Sequence, residues 1–469
     1  MVVTYHYQDM FDEALKAENI TLPACKDSGL KLEYLEIETC DVAEPVNKET
    51  PPAVPFARSE VYQAQILSSH RLTSVNVDCK TVYEVTFDVK ESNFELKAGD
   101  TIGILPRNSP EDVNAILDHL GITQGDQCYN LTVDSSSKIK VPAHVPVKST
   151  LRHVLTHCVD LRGTLKKLFL LAISKHTKCD TERKTLEYLC SKEGAAAYTK
   201  HILNRGICIL DIFTIFKTCR PPIQILLANL PRLLPRPYSI VNSGVKDSNT
   251  LKICFSVMEL DNNRKGLTTG WLESQIINDT FENRMENLSI TNDSLNRIPM
   301  YVRKNMAEFS LPCNIETPLL LIATGTGIAP FIGFLEEREL MISENCKMGE
   351  VWLFYGCRDP NLDYLYKEEL EQYEDNLTLT KLVTAFSRIP SEEARRVQDA
   401  LNENGRDVAR LIEQGASVFV CGEAKSMVAQ VKECITSYLV EYSSKTQDDA
   451  KQCISQMEKD KRYVLDLWS

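Results

Sequence analysis

Three short stretches of this chain carry residue types suited to holding a phosphate. Gly325-Thr326-Gly327 follows the apolar run Leu319–Ala323 and precedes Phe331–Glu339, whose apolar residues recur at helical spacing. A strand, a loop of small residues and a helix start together aim free backbone N–H groups at an anion, and Thr326 adds a hydroxyl donor. The spacing matches neither the three-glycine dinucleotide fingerprint nor the phosphate loop that ends in Gly-Lys-Ser/Thr. By itself the loop fits nucleotide binding and an ordinary strand-to-helix turn equally well. In Arg236-Pro237-Tyr238-Ser239 the arginine can fork two charge-assisted bonds onto a pyrophosphate, and the tyrosine can lie on a flat aromatic ligand. A surface arginine beside a core tyrosine is the plainer reading of the same residues. Gly266-Leu267-Thr268-Thr269-Gly270-Trp271-Leu272 again opens a helix with small residues and reads equally as a capped helix start.

The elements that must position these stretches fall into blocks. Residues 1–57 have four prolines between Pro45 and Pro55 and no sustained periodicity, which is the pattern of a tail or linker, with Leu32–Ile37 as one possible strand. From residue 58 to 149 the pattern is β. Tyr83, Val85, Phe87 and Val89 alternate with Glu84, Thr86 and Asp88, the period of a half-buried antiparallel strand. Leu96–Pro106 gives a turn and another strand, and Pro110–Leu117 a proline-started helix. Residues 150–230 have helical periodicity and read as a packed insertion without chemistry of its own. Residues 231–305 return to β at Leu233–Val241 and Leu251–Met258, then become polar and irregular from Asn278 to Asn305. Residues 306–469 alternate expected strands at Leu319–Ala323, Val351–Tyr355, Leu377–Phe386 and Ser417–Cys421 with helical segments, as a parallel sheet with crossover helices requires.

Composition narrows the class of function. A chain of 469 residues predicts roughly three domains at about 150 residues each. Hydrophobic content of 43% and charged content of 25% are ordinary for a globular protein. No apolar run approaches the ~20 residues of a membrane span, and the N-terminus lacks the basic and apolar regions of a signal peptide. The 16 cysteines therefore read as reduced thiols of a cytoplasmic protein. They form no Cys-x-x-Cys pair and the eight histidines no HExxH pattern, so no metal site is expected. A net charge of −12 argues against nucleic-acid binding and requires any anionic ligand to meet locally concentrated arginines.

The order Arg236–Ser239, Gly266–Leu272, Gly325–Phe331, Tyr355-Gly356-Cys357-Arg358, Ser387-Arg388, Cys421-Gly422-Glu423-Ala424 and Asp466-Leu467-Trp468-Ser469 resembles the ferredoxin–NADP reductase-like half of the diflavin reductases over residues 58–469. The resemblance implies a multidomain β + α + α/β fold. An antiparallel FAD-binding β-barrel carries a helical insertion and is followed by a parallel-sheet NADPH-binding α/β domain. It also assigns roles. Arg236 would hold the FAD pyrophosphate and Tyr238 would flank the isoalloxazine. Gly266, Leu267, Thr268 and Thr269 would donate to the FAD phosphates, and Cys254, Phe255 and Ser256 would line the flavin. Ser239, Cys421 and Asp466 match the family's polar trio near the flavin N5, and Trp468 its aromatic cover. Gly325, Thr326, Gly327 and Arg358 would contact the NADPH pyrophosphate. Ser387, Arg388, Arg395 or Arg396, and Gln398 would form the 2′-phosphate pocket.

The sequence also departs from the family pattern. Arg395 and Arg396 stand where relatives have a lysine–aromatic pair, Leu260 where they tend to carry an aromatic against the adenine, and Glu423 replaces an aspartate. No stretch before Arg58 has the phosphate loop of an FMN-binding flavodoxin domain, so FMN is expected only on a separate domain or partner. Segments such as Leu186–Tyr198 and Gly333–Glu339 are most similar to the family members that serve cobalamin-dependent methionine synthase, ahead of those that serve cytochrome P450. The expected partners are a flavodoxin-like FMN protein and methionine synthase, and the expected activity is electron transfer from NADPH through FAD. A non-catalytic partner or chaperone of methionine synthase is the competing reading. The intact Arg236, Ser239, Cys421, Asp466 and Trp468 speak against it.

Overall fold

The structure, a computed structural model, describes residues 7–25, 29–36, 54–75, 78–133, 140–260, 264–278, 297–343, 348–389, 394–423 and 425–468. The chain folds into two compact units. The first comprises residues 1–54, 106–235 and 259–271, and the second residues 55–105, 236–258 and 272–469.

The first unit is mainly helical. Its helix Pro110–Leu120 shows local sequence at work: Ser109 accepts from the Asp112 N–H, Pro110 takes the first position, and Gly121 closes it at φ +69°. A core of Leu151, Val154, Phe169, Leu170, Leu186, Leu189, Ile212 and Leu226 joins the helices between residues 151 and 229. Residues 1–57 are more than a tail: one helix there was not expected, and the strand expected at Leu32–Ile37 forms at Leu30–Tyr34. Gln8–Leu15 is a helix whose Met10 and Ala14 are buried, with Phe11 against Phe216 at 5.5 Å. A helix this short has little stability alone, so this packing holds it. Leu30–Tyr34 pairs with Cys128–Val133, which pairs with Lys148–Thr150. Those last two strands lie in the stretch assigned to the barrel, yet they form a separate three-stranded sheet. Residues 37–53 lie outside the described residues.

The second unit contains a barrel and a parallel sheet. Antiparallel neighbours run in the order Arg236–Ser239, Thr101–Ile104, Arg297–Val302, Tyr62–Arg71, Val82–Asp88 and Thr250–Ser256. A bridge between Ile240 and Ile253, with Val241 N donating to Lys252 O at 2.9 Å, closes the ring. The parallel sheet has the order Lys381–Phe386, Val351–Cys357, Leu319–Thr324, Ser417–Glu423 and Tyr463–Trp468. Its central strand is buried from Leu319 to Ala323, as a sheet covered on both faces demands. This is the expected ferredoxin–NADP reductase-like architecture. Among the described residues no helix is long and apolar enough to cross a membrane.

Three expectations change in this unit. Arg297–Val302 lies in the stretch read as polar and irregular but is an interior strand of the barrel. Pro299 hid it, since proline usually marks sheet edges; here the Pro299 carbonyl accepts from Leu105 N at 2.9 Å. The strand expected from Leu377 begins at Lys381, because Leu377 turns the chain at φ +64°. Val82–Asp88 is not half-buried: Glu84 and Thr86 on its polar face are 4% and 8% exposed. The Glu84 carboxylate is covered by the Tyr366 hydroxyl at 2.9 Å.

Candidate functional site

Strand pairing assembles the polar trio. Cys421 and Asp466 are Cα partners in adjacent parallel strands, and Ser239 ends the barrel strand Arg236–Ser239. Ser239 Oγ donates to Asp466 Oδ2 at 2.6 Å, and Cys421 Sγ points at the same oxygen from 3.8 Å. Burial pushes the Asp466 carboxyl up from its ordinary range, opposed by the Ser239 and Cys421 donors and the positive charge of Arg303. Burial, then the Asp466 charge, pushes the Cys421 thiol well above its ordinary value. The thiol therefore stays protonated at neutral pH and acts as a donor. The Trp468 backbone ends the last strand, paired with Glu423, while the side chains of both lie outside the described residues.

A cavity of about 400 Å³ opens beside the Gly325–Ile328 turn. Gly325, Thr326, Arg358, Ser387, Arg395, Arg396 and Gln398 all line it. Gly325 takes φ +53°, and its carbonyl accepts from the Tyr355 hydroxyl at 3.3 Å. Gly327 is placed otherwise. It packs behind the cavity, where a Cβ would lie 2.3 Å from the Cys421 carbonyl oxygen. Arg388 does not line the cavity either; its guanidinium donates to Asp78 O at 3.3 Å. Arg395 donates to Ser387 O at 3.3 Å. Sequence reasoning missed Lys80, Asp363, Met427 and Gln430, which also line the cavity. Lys80 comes from a barrel loop, and Gln430 accepts from Gln398 at 3.0 Å. No local pattern around these residues marks them.

Four cations face this space against one acid, Asp363, and Asp363 Oδ1 is occupied by the N–H groups of Arg358 (3.0 Å) and Asp359 (2.8 Å). A locally cationic cavity in a chain of net charge −12 fits an anionic nucleotide.

The residues expected at the flavin are distributed more unevenly. Arg236 and Tyr238 are half-buried on the barrel, with Tyr238 edge-on to Phe255 at 6.1 Å. Cys254 and Phe255 are buried within the protein, whereas Ser256 lines the cationic cavity. Gly266 precedes the helix Leu267–Asn278, which carries Thr268 and Thr269 in its first turn, and these three residues belong to the first unit. Thr268 Oγ1 is buried and has no hydrogen-bond partner among the described residues. A buried orphan hydroxyl at a helix N-terminus fits a phosphate-bearing cofactor. Leu260 is exposed in the short strand Glu259–Leu260.

Comparison with known proteins agrees with this geometry. A family model described as FAD binding domain matches residues 54–271, and one described as Oxidoreductase NAD-binding domain matches residues 321–433. Methionine synthase reductase of Rattus norvegicus is 32% identical over 475 residues, covering 97% of this chain and 67% of the relative. That of Mus musculus is 32% identical over 472 residues, covering 96% and 67%. NADPH–cytochrome P450 reductase of Homo sapiens is 30% identical over 421 residues, covering 88% and 60%. The chain thus spans about two thirds of the length of the methionine synthase reductases it matches.

Proposed function

The chain belongs to the diflavin reductase family, a family of NADPH-dependent oxidoreductases, and from that membership we propose that it transfers a hydride from NADPH to FAD and delivers the electrons to a flavodoxin-type FMN acceptor. FAD and NADPH are its cofactors. Bound FAD supplies the chemistry of taking two electrons together and releasing them singly. Similarity to methionine synthase reductase supports reductive reactivation of cobalamin-dependent methionine synthase as the end use.

The chain's own residues do the positioning. Gly325, Thr326 and Arg358 meet the NADPH pyrophosphate in the cavity, with Ser387, Arg395 or Arg396, and Gln398 toward the 2′-phosphate. Arg236 would hold the FAD pyrophosphate and Tyr238 would flank the isoalloxazine, while the first turn of Leu267–Asn278 would donate to the FAD phosphates. Ser239 and Cys421 donate and Asp466 accepts, which fixes one arrangement of dipoles where charge moves during hydride transfer. By the family resemblance Trp468 would be the aromatic that covers the flavin. The six barrel strands between residues 62 and 302 would serve the FAD and residues 306–469 the NADPH, with the mainly helical residues 106–235 as the insertion.

The observation that carries this reading is the cationic cavity beside Gly325-Thr326-Gly327. Its test is the visible spectrum of the purified chain, with the released flavin identified, before and after anaerobic NADPH. The expected result is bound FAD that NADPH bleaches far more than NADH does. A chain that takes up FAD but is not bleached by NADPH, and does not reduce ferricyanide, would overturn it.

A further inference from the structure

The segment between the strand Val351–Cys357 and the helix Lys367–Asp375 carries Arg358, Asp363 and Leu365 into the nucleotide cavity. It has no regular hydrogen-bond ladder of its own. Its first half folds on Asp363, which accepts from the N–H groups of Arg358 and Asp359. Its middle is tied to the barrel, where Leu362 O accepts from Ser74 N at 2.9 Å and Cys79 Sγ at 3.3 Å. Its last residue, Tyr366, sits at φ +54°, a left-handed conformation that a bulky residue adopts only when its surroundings hold it there.

What holds Tyr366 is Glu84. The Tyr366 hydroxyl donates to Glu84 Oε2 at 2.9 Å, and both side chains are buried. Glu84 Oε1 faces His70 Nε2 at 3.2 Å and Lys252 Nζ at 3.8 Å. The thiol of Cys254, on the neighbouring strand Thr250–Ser256, also contacts the Tyr366 hydroxyl. One hydroxyl thus joins a barrel carboxylate, a strand whose Ser256 lines the cavity, and the loop bearing Arg358.

We propose that Glu84 and Tyr366 are a positioning pair: the barrel carboxylate, by accepting from the Tyr366 hydroxyl, sets the conformation of segment 358–366 and so the place where Arg358 meets the anionic nucleotide. The proposal rests on the reading of the cavity as the NADPH site. Neither residue touches the nucleotide; both act through the loop. Glu84 explains its own burial this way, since an acid on an expected solvent face is retained where it has a partner to hold.

The test uses the FAD-loaded chain with Tyr366→Phe, Glu84→Ala, Glu84→Gln and the Tyr366→Phe/Glu84→Ala double variant. Two quantities are read: amide exchange of segment 358–366 without nucleotide, and the affinity for 2′,5′-ADP by calorimetry. Tyr366→Phe is expected to speed exchange of the segment and to weaken 2′,5′-ADP binding about tenfold, the scale of one lost charge-assisted bond. Glu84→Gln, whose carbonyl still accepts from Tyr366, should lose less than Glu84→Ala. The double variant should lose no more than the larger single change, because the two residues form one interaction. Unchanged exchange and affinity in Tyr366→Phe, or losses that add in the double variant, overturn the proposal. Should the Glu84→Ala chains fail to fold, Tyr366→Phe and Glu84→Gln decide alone. If the wild-type chain does not bind 2′,5′-ADP, the nucleotide reading falls, and the exchange data still judge the pair.

Discussion

Ser239 and Asp466 are 227 residues apart in sequence, and a 2.6 Å hydrogen bond joins the barrel strand that ends in one to the sheet strand that carries the other. The bond orients a half-buried carboxylate that also faces Cys421. Replacing Asp466 with Asn keeps the shape and removes the charge-assisted acceptor. Stopped-flow bleaching of the flavin by NADPH is expected to slow by about 10²-fold, the usual effect of removing one polar group aimed at moving charge, while FAD content stays the same.

The same carboxylate predicts a pH effect. Burial raises the Asp466 pKa and the Arg303 charge opposes that rise. Arg303→Met removes the opposing charge, so the folded-state pKa rises further and the carboxylate is lost at a higher pH on acidification. The acidic limb of NADPH-dependent ferricyanide reduction should move to higher pH. A folded pKa raised above the unfolded value favours the folded state below the unfolded pKa, and that gain disappears as pH rises through the folded pKa. Arg303→Met should therefore lose less stability at pH 4 than at pH 7 in parallel denaturant titrations.

Arg395 and Arg396 are exposed cations on one wall of the cavity, Arg395 also bonded to Ser387 O. Replacing either with Ala should cut the NADPH-over-NADH ratio of kcat/KM by about tenfold, a loss of about 1.4 kcal/mol. The arginine with the larger loss is the one that meets the 2′-phosphate. Equal kcat/KM ratios in both variants and the wild type would place that group elsewhere.

Thr268 gives a test with opposite signs in two states. Its buried hydroxyl has no partner among the described residues, and an unpaired buried polar group costs about 1–3 kcal/mol. Thr268→Val should leave the FAD-free chain as stable as the wild type or more so in thermal unfolding. FAD affinity, followed by flavin fluorescence, should fall.

Gly327 is a question of space. A Cβ there would lie 2.3 Å from the Cys421 carbonyl oxygen, a backbone atom that cannot swing away. Gly327→Ala should destabilise the chain by about 2 kcal/mol, read as a lower thermal midpoint, and should disturb Cys421 and the trio with it.

How much of this was legible in the sequence depended on whether local pattern matched final environment. Leu319–Ala323 reads as a buried strand and is one, because a central parallel strand needs only apolar residues. The small-residue turn at Gly325 and the helix start at Pro110 follow from local backbone chemistry and were visible for that reason. Arg297–Val302 was hidden by Pro299, whose missing N–H misled a rule about edges. Glu84 was read as solvent-facing because alternation gives the side of a strand, not what covers it. Gln8–Leu15 depends on partners far along the chain, Phe216 among them, which no window of local sequence contains. For the site, the motif residues were identifiable by family order. Lys80 and Gln430 were not, since each reaches the cavity from an element with no motif of its own.

The barrel's strand order carries a cost in time. Tyr62–Arg71, Val82–Asp88 and Thr101–Ile104 leave the ribosome early, but Arg236–Ser239, Thr250–Ser256 and Arg297–Val302, which complete the ring, emerge only after the helices between residues 110 and 229 have been made. At about 5–20 residues per second, Tyr62–Arg71 and Val82–Asp88, paired only with each other, and Thr101–Ile104, without either neighbour, wait on the order of ten seconds with open edges. Such edges invite pairing with other nascent chains. Translation speed across the insertion, and the chaperones met there, should therefore affect the yield of usable protein.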